Sequence, residues 1–237
     1  MTSAPATNTD AAWLVGLLQA GDSFYPTGSY SHSFGLEGLV QQGVVRDRAT
    51  LRDFIFLSVL PALRHTDLPL AAHAWHAFGE TNWQRLGELC VLSSALKTAR
   101  EARAASENIG RQRAELMASL RAHALAQEYL RRASAESWPH SSAISAALEG
   151  RILGAPLTAL LAGIAYATLS SLLSAAMKIL RLGQNASQSL LTEALAATPA
   201  LITVAESTPF EDIGWFNPWL DIAAARHETA DARMFIS

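Results

Sequence analysis

A chain of 237 residues is long enough to bury a sizeable core, as one large domain or two small ones. Alanine and leucine are abundant, β-branched residues few and only 8% of residues aromatic, which favours helices over sheets. Charge is nearly balanced, 18 Lys+Arg against 21 Asp+Glu for a net −3; nucleic acid is therefore a poor main partner, because phosphate binding needs a concentrated basic surface. A lone cysteine, Cys90, excludes an intrachain disulfide and fits a reducing compartment.

Residues 1–10 are small and polar, with neither a basic start nor an apolar run. They read as a disordered tail rather than a secretory signal, and the protein as cytoplasmic. An apolar helix is expected over 13–20, ending near Gly21-Asp22. Next comes Phe24-Tyr25-Pro26-Thr27-Gly28-Ser29-Tyr30-Ser31-His32-Ser33-Phe34-Gly35-Leu36-Glu37. Pro26 fixes φ and Gly28 permits positive φ, so its middle is a turn. A turn so rich in aromatics must pack inward or meet a partner.

The pattern then predicts a helix from about 34 to 42, stopped by Gly43. Another opens at 46–50 and runs through Leu63, with Pro61 expected to kink or break it. Thr66-Asp67 before Leu68-Pro69 predicts a fresh N-cap and a helix to Phe78. Over 83–132 punctuation is sparse, and two helices with a bend near 95–100 are expected. The clearest long loop is 136–142. The span 152–177 carries no charge, which raises a membrane-crossing helix. Its alanine, glycine, serine, threonine and Pro156 dilute the leucines, and neither flank carries a basic cluster. A helix buried at the centre of the domain is the better reading. Lys178 and Arg181 lie in its last turn before a stop at Gly183. A helix over 185–197 should end before Pro199, 208–219 is a loop with four aromatics, and 220–235 closes the chain as a helix. The expected fold is all-α, a single-domain bundle of roughly ten helices around a central apolar helix, spanning 11–237.

Candidate chemistry is thin. His73 and His76 lie three apart on one helix face, near His65 and Asp67, and could form half of a metal site. His227-Glu228 begins like a zinc-protease motif, but Asp231 stands where the second histidine belongs. The chain holds neither a phosphate-cradling Gly-x-x-x-x-Gly-Lys-Ser/Thr loop nor a Gly-x-Ser-x-Gly elbow. Cys90 reads as a buried small hydrophobe. A small helical hydrolase using His73 and His76, or His140 among its serines, stays open as a rival, as does a membrane-associated protein built on 152–177.

The string 24–37 resembles the signature near the start of the urease accessory protein UreF family. Ala225-Arg226-His227-Glu228-Thr229, followed by Ala232-Arg233-Met234-Phe235, resembles that family's C-terminal signature. Between them, Arg100-Glu101-Ala102-Arg103 with Gly110-Arg111 is similar to its arginine-rich stretch, and Lys178, Leu182 and Gln184 to its lysine–leucine–glutamine motif. Arg181, Asp231 and the aromatic loop before Leu220 depart from the pattern. The resemblance implies an all-helical, non-enzymatic adaptor that dimerises and joins UreD (also called UreH) to the GTPase UreG. That assembly delivers nickel to apo-urease by GTP hydrolysis. It implies no catalytic residue, cofactor, resident metal, nucleic acid or membrane partner. Tyr30 and Arg233 match positions that tie the C-terminal segment to the body, and Lys178 a lysine that couples UreG to delivery. His32, Phe34, Glu37, Arg226, His227 and Glu228 complete the implied interface.

Overall fold

The computed structural model describes residues 11–28 and 34–218, together with Ile222. No strand occurs among them, and the helices share one hydrophobic core, as the sequence predicts. Residues 1–10 and the expected closing helix 220–235, apart from Ile222, lie outside the described residues.

The helix surrounded on every side is α9 (Ser142–Leu153), in which Ala143 through Gly150 are all buried. It begins from Ser141, whose Oγ accepts from the Ile144 N–H at 3.5 Å. Small side chains let α5 (Leu68–Gly79) and α7 (Arg100–Leu120) pack against it, with α1 (Ala12–Gly21), α8 (Ala124–Ala135) and α10 (Leu157–Ile179) completing the shell. The apolar run 152–177 is therefore not the centre, and it is not one helix. Gly154 takes φ +73° and Pro156 caps the next helix, so α9 ends and α10 starts within that run. One face of α10, through Leu161, Ala165, Leu169, Leu172 and Ala176, enters the core. The other carries Gly163, Ala167, Ser171 and Ser174 along a groove. By length and composition α10 could cross a membrane (mean hydropathy 1.6), yet its apolar face is already packed on α1, α5, α9 and the helix over Gln184–Ser207.

Residues 48–79 form a single helical rod. Asp47 caps α3 (Arg48–Phe54): its Oδ1 accepts from the Thr50 N–H at 2.9 Å, and Thr50 Oγ1 accepts from the Asp47 N–H at 3.1 Å. The expected break at Pro61 and new start at Thr66-Asp67 do not occur. The backbone instead widens into π-helical stretches at Ile55–Val59 and Leu63–Asp67, separated by α4 (Leu60–Ala62), and runs on into α5. Each widening sits just before a proline, where it absorbs the missing N–H and the ring clash without breaking the rod. Thr66 donates back to the Ala62 carbonyl, and Asp67 pairs with Lys97 at 3.2 Å instead of capping.

The span 83–132 holds three helices, not two: α6 (Trp83–Ala95), α7 and α8. The break at 96–99 is where the sequence places it. The second falls at Ala122, which takes φ +46°, and His123 caps α8 by accepting from the Leu125 N–H at 3.2 Å. α2 (Leu36–Gln41) starts later than expected because Phe34 and Gly35 both have positive φ. α10 stops at Ile179 rather than at Gly183, which is instead the N-cap of α11 (Gln184–Ser207). α11 passes straight through Pro199, the expected stop. Pro199 faces solvent while Thr198, Leu201, Ile202 and Ala205 are buried. Water can serve the carbonyl that the proline cannot reach, and packing on both sides holds the helix.

Candidate functional site

The aromatic turn after α1 is held by a buried ionic set. The Tyr25 hydroxyl donates to Glu149 Oε1 at 2.6 Å, Arg113 donates to Glu149 Oε2, and the Arg113 guanidinium lies 5.7 Å from the Tyr25 ring centre. α7 supplies the cation, α9 the anion and the turn the phenol, so three separated segments meet at one point. Burial, and then the Glu149 carboxylate, hold the Tyr25 phenol well above its ordinary range, which keeps it a donor. Thr27 is buried beside it and Gly28 takes φ +75°, the positive φ that the turn requires.

Among the described residues of the turn, two aromatic side chains face outward. Phe24 is 94% exposed and Phe34, at φ +55°, 40% exposed. Of the sequence-predicted interface residues, Phe34 is at the surface, whereas Glu37 is only 5% exposed and faces inward. Tyr30, His32, Arg226, His227, Glu228 and Arg233 lie outside the described residues. Lys178 is exposed in the last turn of α10, far along that helix from the groove's Gly163 end.

A groove of about 510 Å³ opens beside this turn. Phe34 stands at its rim, Val59 and Thr66 of the rod form one wall, and Ser171 of α10 another. Arg113 and Glu149 reach its lining, so the set that pins the turn also borders the groove.

The candidate catalytic groups are used for packing. His73 donates from Nε2 to the Thr208 carbonyl at 2.9 Å and meets the Phe210 ring edge-on, while His76 lies edge-on to Trp75. No group of three His, Cys, Asp or Glu placed to hold a metal occurs among the described residues. Cys90 is buried 3.7 Å from the Tyr129 hydroxyl, and burial pushes its thiol up to about 12, so no thiolate nucleophile forms near neutrality.

His140 stacks edge-on against Tyr129, and no described group meets its Nδ1. Burial first, then Arg111, lowers its pKa, with Glu115 and Glu107 opposing. The folded protein therefore keeps His140 neutral below about pH 6.5, where the unfolded chain takes up a proton. That contribution is complete above the unfolded value and is lost as pH falls below it. His65 is lowered by burial too and adds to the same slope. His140→Gln should consequently flatten, without abolishing, the fall in melting temperature between about pH 7.5 and 5.5. Parallel profiles for the two proteins would show that His140 does not contribute.

The Tyr25–Glu149–Arg113 set was missed by motif reading. Its one signal was Glu149 itself, a carboxylate amid alanine and leucine, which must find a buried cation.

A family model described as UreF matches residues 45–195. The chain is 32% identical over 227 residues to the urease accessory protein UreF of Paenarthrobacter aurescens, covering 96% of this chain and 99% of that one. It is 31% identical over 237 residues to its Corynebacterium efficiens counterpart, covering all of both. With the protein of the same name from an Azoarcus species, identity is 33% over 226 residues, covering 94% and 95%. The Corynebacterium efficiens match, which covers all of both chains, takes in the turn and the C-terminal stretch that the family model leaves out.

Proposed function

The chain belongs to the UreF family of urease accessory proteins, and from that premise we propose that it is an adaptor bridging UreD (UreH) to the GTPase UreG. It is an accessory protein rather than an enzyme. Nickel is the cargo of the assembly, inserted into apo-urease as UreG hydrolyses GTP, and this chain carries no cofactor of its own. Similarity that runs from one end to the other, through both signatures, is the observation that carries the reading.

Supporting it, the turn is pinned from below by Tyr25, Glu149 and Arg113 while Phe24 and Phe34 face out. α1 alongside exposes Leu14, Val15 and Leu18. Exposed apolar side chains gathered on the turn and on α1 mark an interaction site. In this reading the chain works in the cytoplasm as a homodimer, and the C-terminal segment with Arg226, His227, Glu228 and Arg233 docks beside Tyr30 and His32 to complete the surface for UreD and UreG. Glu37, being buried, orients the turn rather than touching a partner. Lys178 couples UreG to delivery from the end of α10.

Tyr30→Ala and Arg233→Ala should each weaken capture of UreG through UreD, and the double variant should be little worse than either single one, since coupled residues are not additive. Pull-down affinities on all four combinations measure it. Fully additive losses, or none from Arg233→Ala, would mean that the two signatures do not meet.

A further inference from the structure

Residues 208–217 lie along the rod as a strap. His73 donates to the Thr208 carbonyl at 2.9 Å, the Gly214 N–H donates to the His65 carbonyl at 2.8 Å, and Asn217 Nδ2 donates to Ser58 Oγ at 3.0 Å. Strap numbers rise as rod numbers fall, so the two run antiparallel. Between the fastenings, Phe210 packs under the Arg85 guanidinium at 4.2 Å and Ile213 is buried.

The middle fastening originates in the rod. Pro69 has no N–H, so the His65 carbonyl four residues before it loses its ordinary helical donor. The π-helical stretch Leu63–Asp67 falls at this point, and the strap brings the Gly214 N–H to this carbonyl. Gly214 is suited to the role. It takes φ +151°, and a Cβ there would lie 3.2 Å from Leu96 Cδ2. Immediately beyond it, Trp215 and Asn217 line the groove together with Val59 and Thr66 of the rod.

We propose that 208–217 is a latch: the carbonyl freed by Pro69 holds the strap through Gly214, and release of the strap opens the groove along its Trp215–Asn217 edge. This concerns the isolated chain and stands whether or not the adaptor reading holds. The geometry needs both halves. A proline in the rod creates the acceptor, and a glycine in the strap brings an N–H close enough to use it.

Pro69→Ala tests this directly, because alanine offers the rod its own N–H for the His65 carbonyl and leaves the strap sequence untouched. Hydrogen exchange of the full chain, followed by mass spectrometry, should show peptides from 208–218 exchanging roughly five- to tenfold faster, the scale set by one lost hydrogen bond. Peptides from α9 should be unchanged, and anilinonaphthalene sulfonate should fluoresce more strongly as the groove opens. Gly214→Ala should produce the same pattern from the strap side, and Asn217→Ala, which touches neither turn geometry nor the rod backbone, a weaker version. Unchanged strap exchange in Pro69→Ala would overturn the latch. So would faster exchange in α9 as well, or a loosened strap with no gain in dye fluorescence.

Discussion

Glu149→Ala is expected to lower the free energy of unfolding by about 3–5 kcal/mol, the cost of leaving a buried cation without its partner. The Glu149 side chain is 3% exposed and that of Arg113 14%, so little water reaches the guanidinium to replace the lost carboxylate. The Tyr25 hydroxyl loses its acceptor in the same step, and the aromatic turn loses its anchor to the core. A net stability of 5–15 kcal/mol is usual for a domain, so this one change removes a large part of it. The double variant Arg113→Met, Glu149→Met should recover part of the loss, because an apolar pair of similar volume is often neutral while the Tyr25 hydroxyl still lacks its acceptor. Urea unfolding of the three proteins decides the point. A single-variant loss below about 1 kcal/mol would mean that the pair is solvated and does not pin the turn.

Gly110→Ala is expected to be the next most damaging change, and for a different reason. A Cβ at Gly110 would fall 2.5 Å from the Ser141 backbone carbon and oxygen, where α7 crosses the start of α9. That backbone cannot retreat cheaply. The Ser93–Ser141 hydroxyl contact at 2.7 Å and the Ser106–Ser142 contact at 3.1 Å fix the N-terminus of α9 on α6 and α7. Overpacking costs about 1–3 kcal/mol, and contact with fixed backbone places this site at the upper end. Alanine's better helix propensity returns about 1 kcal/mol, leaving a net loss of roughly 2. Gly163→Ala in α10 is the control, since nothing lies within 4 Å of its added Cβ. It should be neutral or slightly stabilising, and equal melting temperatures for the two variants would contradict the close crossing of α7 and α9.

Helical class, the turn at Gly28 and the break near 96–99 were legible because each has a local cause in propensity, glycine or spacing. The central helix was not. Ser142–Leu153 is buried all round and built of alanine, serine and leucine, so it has no polar face for periodicity to detect, whereas 152–177 drew notice by lacking charge. Pro61 and Pro199 misled for another reason. Their local cost is real, but the rod absorbs one by π-helical widening and α11 turns the other toward solvent. Ala122 gave no warning at all, since nothing local marks an exposed alanine that takes φ +46°. At the candidate site, the signature strings located the turn, but not what pins it. Tyr25, Arg113 and Glu149 are separated by most of the bundle, and no linear motif can express their meeting.

The proposed adaptor role requires that nickel not reach urease without this chain. Reconstitution with apo-urease, UreD, UreG, nickel and GTP, with and without the chain, tests it most directly. Urease activity should appear only when the chain is present, while the chain alone hydrolyses neither GTP nor urea. Equal activation in its absence would overturn the adaptor role.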